Sequence, residues 1–208
     1  IIVTQCFAPD VGGIEQVMAH LAAAWSQVSP VVVLADASKN PSAAQWDKAQ
    51  PYRIERFGGP KPWRRHQKRR AIRKHTASGH TVWLCCDSWK STTTARSAVA
   101  STTVTCLCMA HGNDVLDKGS SKRRQRIIAG LQAADAVVAV SQDTLQRVQT
   151  LGIDTGVVIH NGVTLTLPNP PEQACRNKPL MITVSRLEPR KGHDQVIRAL
   201  PGLKTQWP

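Results

Sequence analysis

Aromatic side chains are scarce: two Phe, one Tyr and six Trp make up 4% of the 208 residues. A core must therefore come mainly from aliphatic residues. No apolar run reaches the roughly 18 residues that a spanning helix requires, which argues against a transmembrane segment. Residues 1–7 are largely apolar, but no basic region precedes them, so a signal peptide is not expected. No C-x-x-C pair occurs among Cys6, Cys85, Cys86, Cys106, Cys108 and Cys175. The spacing supports neither a metal site nor a disulfide framework. The cysteines are expected to be small buried hydrophobes in a reducing cytosol, with Cys106 and Cys108 on one face of a strand. Acids are few, 14 against 27 Lys and Arg, which leaves a net charge of +13.

That charge is unevenly placed. No acid falls between Glu55 and Asp87, while Lys61, Arg64, Arg65, Lys68, Arg69, Arg70, Arg73 and Lys74 lie within one short segment beside Trp63. Such a cluster seeks an anionic partner: lipid head groups, nucleic acid or a polyanionic substrate.

Strand-like and helix-like runs alternate along the chain. Apolar runs at 1–7, 31–35, 81–86, 103–109, 136–140 and 157–159, with a more polar run at 52–57, have strand length. Ile14, Val17, Met18, Leu21 and Trp25 recur at helical spacing, and helices are also expected from about Trp63, over 122–134 and over 142–151. The alternation predicts an α/β, Rossmann-like domain with a parallel sheet over residues 1–163. Residues 164–178 hold Pro168, Pro170 and Pro171 without periodicity and are expected to be a linker. A fresh strand at 180–185 and a fresh helix at 192–200 would begin a second Rossmann-like domain over 179–208. The chain starts without Met inside a strand-like run and ends just after a helical one, so a fragment or a decayed copy of a longer protein is expected.

In an open parallel sheet, ligands bind at the carboxyl ends of the strands. After the first run comes Pro9-Asp10-Val11-Gly12-Gly13-Ile14-Glu15. Glycines there admit a ligand close to the backbone, and the helix N-terminus offers free N–H groups. After the run at 103–109 come His111, Gly112 and Asp114, where the imidazole is placed to donate a hydrogen bond or carry a proton. After 157–159 comes a turn with Asn161 and Gly162. After 180–185 comes Arg186-Leu187-Glu188-Pro189-Arg190-Lys191-Gly192. Two fixed cations before a helix neutralise the charge that grows on a departing diphosphate.

In order, PDVGGIEQVMAHLA at 9–22, HGNDV at 111–115, ADAVVAVSQ at 134–142, VIHNGV at 158–163 and VSRLEPRKGHDQVIRAL at 184–200 resemble glycosyltransferase family 4. The resemblance implies the GT-B arrangement: two Rossmann-like domains with the active site in the cleft between them. It implies a nucleotide-sugar donor held mainly by the second domain, an acceptor held mainly by the first, retention at the anomeric carbon and no obligatory metal or other cofactor. Residue by residue, it implies that His111 contacts the transferred sugar, that Arg186 and Lys191 hold the diphosphate, and that Gly12 and Gly13, with Glu15 and Asp114 nearby, face the ligands. Asn161 and Gly162 would line the cleft. Thr164 stands where the family often has Asp, and the family's glutamate pair lies beyond residue 208, so the recorded chain alone is expected to be inactive. The resemblance also points to a glycan or lipid-linked acceptor in cell-envelope polysaccharide biosynthesis. The basic segment Lys61, Trp63, Arg64, Arg65, Lys68, Arg69, Arg70, Arg73 and Lys74 would then dock the enzyme on the cytoplasmic face of the membrane.

Two other readings compete. A nucleotide-sugar epimerase shares the architecture but is not expected to show the spacing of Arg186 to Lys191-Gly192. A basic nucleic-acid-binding module would use the 61–74 cluster, but no nucleic-acid motif accompanies it, and nucleic acid is not expected as a partner.

Overall fold

The computed structural model describes residues 1–77, 80–99, 104–116, 120–163 and 181–206. The expected linker, with Thr164 and Cys175, lies outside the described residues, as does Leu180. The chain divides into two compact units, Ile1–Val163 and Thr164–Pro208.

The first unit is a seven-stranded sheet, all parallel, with helices between the strands. Strands β1 (Ile2–Val3), β2 (Val32–Asp36), β3 (Arg53–Phe57), β4 (Val82–Cys86), β5 (Val104–Ala110), β6 (Ala136–Ala139) and β7 (Gly156–Val158) lie in the order β3-β2-β1-β4-β5-β6-β7. Helices α1 (Gly13–Ser26), α2 (Ala43–Lys48), α3 (Lys61–Thr76), α4 (Trp89–Arg96), α5 (Ser121–Gln132) and α6 (Gln142–Thr150) connect them. This is the Rossmann-like α/β fold that the alternating pattern predicts.

Both faces of the sheet are covered, so each strand alternates between two cores. Ile2, Val33, Ala35 and Cys85 face one side, where Met18 and Ala22 of α1 pack with Phe7 and Met109. Val3, Leu34, Leu84, Cys86 and Cys106 face the other, against Ala71 and Ile72 of α3 and Ala95 of α4. A third cluster joins Cys108 and Val137 of the sheet to Trp89, Ile127, Leu131 and Val148 of the helices. The cysteines of β4 and β5 are thus buried thiols; Cys86 and Cys106 lie 3.8 Å apart, sulfur to sulfur, and are free. Burial pushes the Cys85 thiol up to about 12. Helix α5 packs against α4 so closely that a Cβ at Gly130 would lie 2.7 Å from the Trp89 carbonyl oxygen, which is why glycine stands there.

Helix α3 carries the basic segment, and its phase sorts the charges. At about 100° per residue, Arg64, Lys68, Ala71 and Ile72 share the inward face. Lys68 is 4% exposed. Its ammonium lies 2.6 Å from one Asp36 carboxylate oxygen, and the Arg64 guanidinium lies 2.6 Å from the other. Lys68 also donates to the Thr4 carbonyl. Burial lowers the Lys68 pKa, and the Asp36 carboxylate opposes that shift. The expectation that Lys68 meets a membrane is therefore corrected: it is a core ion-pair residue, because its position one turn before Ile72 turns it inward. Arg64 is likewise committed to Asp36 rather than to a surface.

A stability prediction follows. Asp36→Ala leaves a buried ammonium without its counter-charge and should lower the unfolding free energy by about 3–5 kcal/mol. The paired change Asp36→Leu with Lys68→Met should recover most of that loss. Urea denaturation of the two variants is the check; a loss under about 1 kcal/mol for Asp36→Ala would show that the pair does not anchor α3.

The second unit contains a 3-10 turn, Pro189–Lys191, and helix α7 (His193–Gln206), with Pro201 inside the helix. The fresh strand expected over 180–185 is corrected: residues 181–185 hold no strand, and Met181, Ile182 and Val184 are exposed. An apolar run forms a strand only when a neighbouring strand takes its backbone groups.

Candidate functional site

The strand order reverses direction between β1 and β4, and such switch points open a crevice outside the carboxyl ends of the strands. The Asp87 carboxylate fixes this point. One of its oxygens accepts from the Thr4 hydroxyl and the Gln5 N–H, each at 2.8 Å; the other accepts from the Ser88 hydroxyl at 3.0 Å and the Ser91 hydroxyl at 2.5 Å. The buried carboxylate thereby ties the loop after β1 to the turn after β4. Asp87 was not among the residues expected from sequence. The signal available was its place as the first polar residue after the run at 81–86.

The loop after β1 leads to α1, whose first turn has no side-chain cap. Its leading N–H groups are therefore free to meet a negatively charged or hydroxyl oxygen. Gly13 is exposed, and a Cβ built on it would touch nothing within 4 Å. At Gly12 a Cβ would fall 2.0 Å from a Glu15 carboxylate oxygen, so Glu15 folds back over the glycine. Burial, then the Asp87 and Glu15 carboxylates, push the Cys6 thiol up to about 12. Cys6 is thus a protonated thiol rather than a nucleophile.

His111 follows β5 directly. Its backbone N–H donates to Asp114 Oδ1 at 3.0 Å, and the Trp89 indole donates to the Asp114 carbonyl at 3.0 Å. Gly112 closes the turn at φ +89°, a conformation that glycine adopts without strain. Burial lowers the His111 pKa below the ordinary imidazole value, opposed by the nearby Asp114 and Asp87 carboxylates. Burial raises the Asp114 pKa, opposed by His111. His111 Nε2 and Asp114 Oδ2 are both buried and lack a hydrogen-bond partner. Unpaired buried polar atoms are costly, so this pair stands out at the strand's carboxyl end.

Asn161 and Gly162 follow β7 and are exposed. Because every strand is parallel, Gly13 after β1, His111 after β5 and Asn161 after β7 share the carboxyl edge. The strands that lead to neighbouring members of that series lie two apart in the sheet, or roughly 10 Å.

Arg186 and Lys191 belong to the second unit. Arg186 is an exposed cation 3.1 Å from Glu188, and Lys191 ends the 3-10 turn. Gly192, at φ +69°, leads from that turn into α7. His193, which sequence did not single out, braces the turn: its Nε2 lies 2.8 Å from the Ser185 hydroxyl and 3.1 Å from the Arg186 carbonyl. Both cations thus precede a helix N-terminus on a short braced turn, an arrangement suited to a phosphate-bearing ligand.

The rest of α3 lies outward or to one flank. Trp63, Arg70, Arg73 and Lys74 are exposed, with the Trp63 ring stacked on His66 at 5.7 Å. Lys61, Arg65 and Arg69 lie on the flank toward α4 and α5 and line a groove with them. Among the described residues no helix is long and apolar enough to cross a membrane.

The sequence model of Glycosyltransferase Family 4 matches residues 11–167. A GDP-mannose-dependent monoacylated alpha-(1-6)-phosphatidylinositol monomannoside mannosyltransferase of Corynebacterium glutamicum is 27% identical over 97% of this chain and 56% of its own length. The chain thus spans little more than half of that curated relative. Among solved structures, HepE of Anabaena in complex with UDP superposes with a TM-score of 0.56 at 14% identity, covering 78% of this chain and 44% of HepE. The lipopolysaccharide outer core galactosyltransferase WaaB, in its apo form, gives a TM-score of 0.56 at 15% identity, covering 85% of this chain and 50% of WaaB. These two likenesses establish the fold.

Proposed function

Because the chain belongs to glycosyltransferase family 4, we propose that it supplies the acceptor side of an enzyme that moves a sugar from a nucleotide-sugar donor to a glycan or lipid-linked acceptor with retention. The observation that carries the reading is the partnerless Nε2 of His111 at the carboxyl edge of the sheet, alongside the uncapped N-terminus of α1. In transfer the bond from the anomeric carbon to the diphosphate breaks, an acceptor hydroxyl bonds to that carbon, and its proton passes to the departing phosphate oxygen. His111 donates from Nε2 to a hydroxyl of the transferred sugar. Gly12 and Gly13, with Glu15 beside them, let the ligands approach the α1 backbone. Asp114 orients His111 through its backbone N–H, and Asn161 and Gly162 line the cleft. Arg186 and Lys191 neutralise the leaving diphosphate, so no obligatory metal is needed. The mannosyltransferase relative uses GDP-mannose on a phosphatidylinositol mannoside, which supports an envelope glycolipid as acceptor. The direct test is transfer by the enzyme from a panel of nucleotide sugars, with the anomeric configuration of donor and product compared by proton NMR. Retained configuration is expected; inversion, or no transfer from any donor, would refute the reading.

The outward face of α3 supports docking on the anionic, cytoplasmic surface of a membrane. Each Arg or Lys near such a leaflet contributes about 1 kcal/mol, and Trp63 suits the head-group level. Changing Arg70, Arg73 and Lys74 to Ser spares the Asp36 pair and should weaken co-sedimentation with anionic vesicles by on the order of a hundredfold. Wild-type binding should fall with salt. Equal binding to neutral vesicles would contradict docking.

A further inference from the structure

We propose that the cavity between α3 and α4 binds a phosphate group, and that this phosphate belongs to the acceptor; the second clause rests on the transferase reading above. The cavity has a volume of about 40 Å3 and is bounded by Lys61, Arg64, Arg65 and Lys68 of α3, Lys90 of α4, and Asp36. It lies toward the carboxyl edge: Asp36 ends β2, and Gln5 and Ser91, which follow β1 and β4, line it with Val3 and Thr94.

Charge points to an anion. Arg64 and Lys68 already occupy both Asp36 oxygens, so the only carboxylate lining the cavity is neutralised. Lys61 and Arg65 have no ion-pair partner among the described residues. The Lys90 ammonium lies 5.4 Å from the Trp89 ring centroid and likewise has no acidic partner among the described residues. Arg64 Nε is buried and has no acceptor. Gathering like charges around an unsatisfied donor is unfavourable unless an anion enters.

The same residues lead onward. Lys61, Arg65 and Lys90 also border a groove of about 740 Å3, which Arg69 of α3 and Arg123 and Arg126 of α5 line as well; among its lining residues there is no acid. Arg69 Nε and Arg123 Nε are buried without acceptors too. The cavity thus holds one phosphate at the carboxyl edge, and the groove offers a path for further anionic groups of the same ligand. The proposed diphosphate residues Arg186 and Lys191 belong to the second unit, whereas every residue of this cavity belongs to the first.

The test is calorimetric titration of the full-length enzyme with inorganic phosphate, with glycerol 1-phosphate, and with phosphatidylcholine vesicles containing phosphatidic acid. The site variant carries Lys61→Ser, Arg65→Ser and Lys90→Ser. A control carries Arg147→Ser, an exposed residue of α6 outside the cavity and the groove. Saturable phosphate and glycerol phosphate binding is expected, at least tenfold weaker in the site variant and unchanged in the control. If the triple variant does not fold by circular dichroism, Lys61→Gln at an exposed position should still weaken binding severalfold. Glycerol phosphate as tight as vesicles identifies a soluble phosphate ester; vesicles much tighter, through the same residues, identify a lipid phosphate. The proposal is overturned if wild type shows no saturable phosphate binding, if both variants lose it equally, or if an oligonucleotide outcompetes glycerol phosphate at these residues. Phosphate binding through these residues in an enzyme that turns over no nucleotide sugar would sink the transferase reading and leave the site standing. Sugar transfer with an acceptor KM unchanged in the site variant would remove the acceptor assignment alone.

Discussion

His111→Ala is expected to lower turnover by roughly a hundredfold or more while leaving the fold intact. The imidazole offers a buried, partnerless Nε2 to the site, and the turn around it is held by backbone groups: the His111 N–H on Asp114 and the glycine conformation at 112. Removing the ring therefore removes a contact with the ligand more than a structural one. Turnover within about threefold of wild type would show that Nε2 meets nothing in the transition state. The pH dependence has a definite sign. Positive charge grows on the sugar as the diphosphate departs, so a neutral imidazole is tolerated beside it and an imidazolium is not. Burial holds the His111 pKa below its ordinary value of about 6.5. The rate should thus be flat through neutral pH and fall only as pH drops through that lowered pKa. The unfolded chain binds this proton more readily than the folded one, so His111 also costs stability as pH falls from about 6.5 through the folded value. A rate that rises on acidification would assign the charged form instead.

Arg186→Ala and Lys191→Ala are each expected to reduce kcat in the full-length enzyme by roughly a hundredfold, with a smaller effect on KM. A leaving diphosphate gains charge only as its bond to the sugar breaks, so a fixed cation is worth more in the transition state than in the ground state. The structure separates this effect from stability. The Arg186 side chain is 73% exposed and, among the described residues, pairs with Glu188, and such a surface pair contributes about 0–1 kcal/mol to folding. Arg186→Lys should recover part of the rate, because a point charge replaces a fork that can contact two phosphate oxygens. Near-normal kcat in either alanine variant would remove the diphosphate role.

Much of the first unit was legible because a parallel sheet buried on both faces writes its strands as unbroken apolar runs. Residues 31–35, 81–86 and 103–109 fall within a residue of the strands observed. The first run was overread: only Ile2 and Val3 pair in the ladder, because beyond them Thr4 and Gln5 turn to bond Asp87. Helix α4 was missed for the opposite reason. Its sequence, WKSTTTAR, is polar and rich in β-branched residues, which disfavour helix. Tertiary packing buries it nonetheless, and the hydroxyls of Thr92, Thr93 and Thr94 are satisfied by carbonyls one turn back, at 2.9 to 3.1 Å.

The basic segment shows the limit of counting charges without phase. Eight cations in one run read as a single patch, yet the helix divides them among an ion pair with Asp36, a groove beside α4 and α5, and an outward face. The clue to Lys68 was present in its spacing from Ile72, an apolar residue four positions on. For the candidate site, the strand-end rule pointed to Gly13, His111 and Asn161, which follow parallel strands. It could not reveal that His111 Nε2 and Asp114 Oδ2 are buried without partners, since that depends on neighbours distant in sequence.

If ligands meet this domain at the carboxyl edge of its sheet, amide hydrogen exchange of the full-length enzyme, measured with and without donor and acceptor, should show it. Added protection is expected around Gly12 and Gly13, at His111 to Asp114, and at Asn161, with none at the opposite edge. Protection confined to the opposite edge, around Trp25 and Trp83, would contradict it.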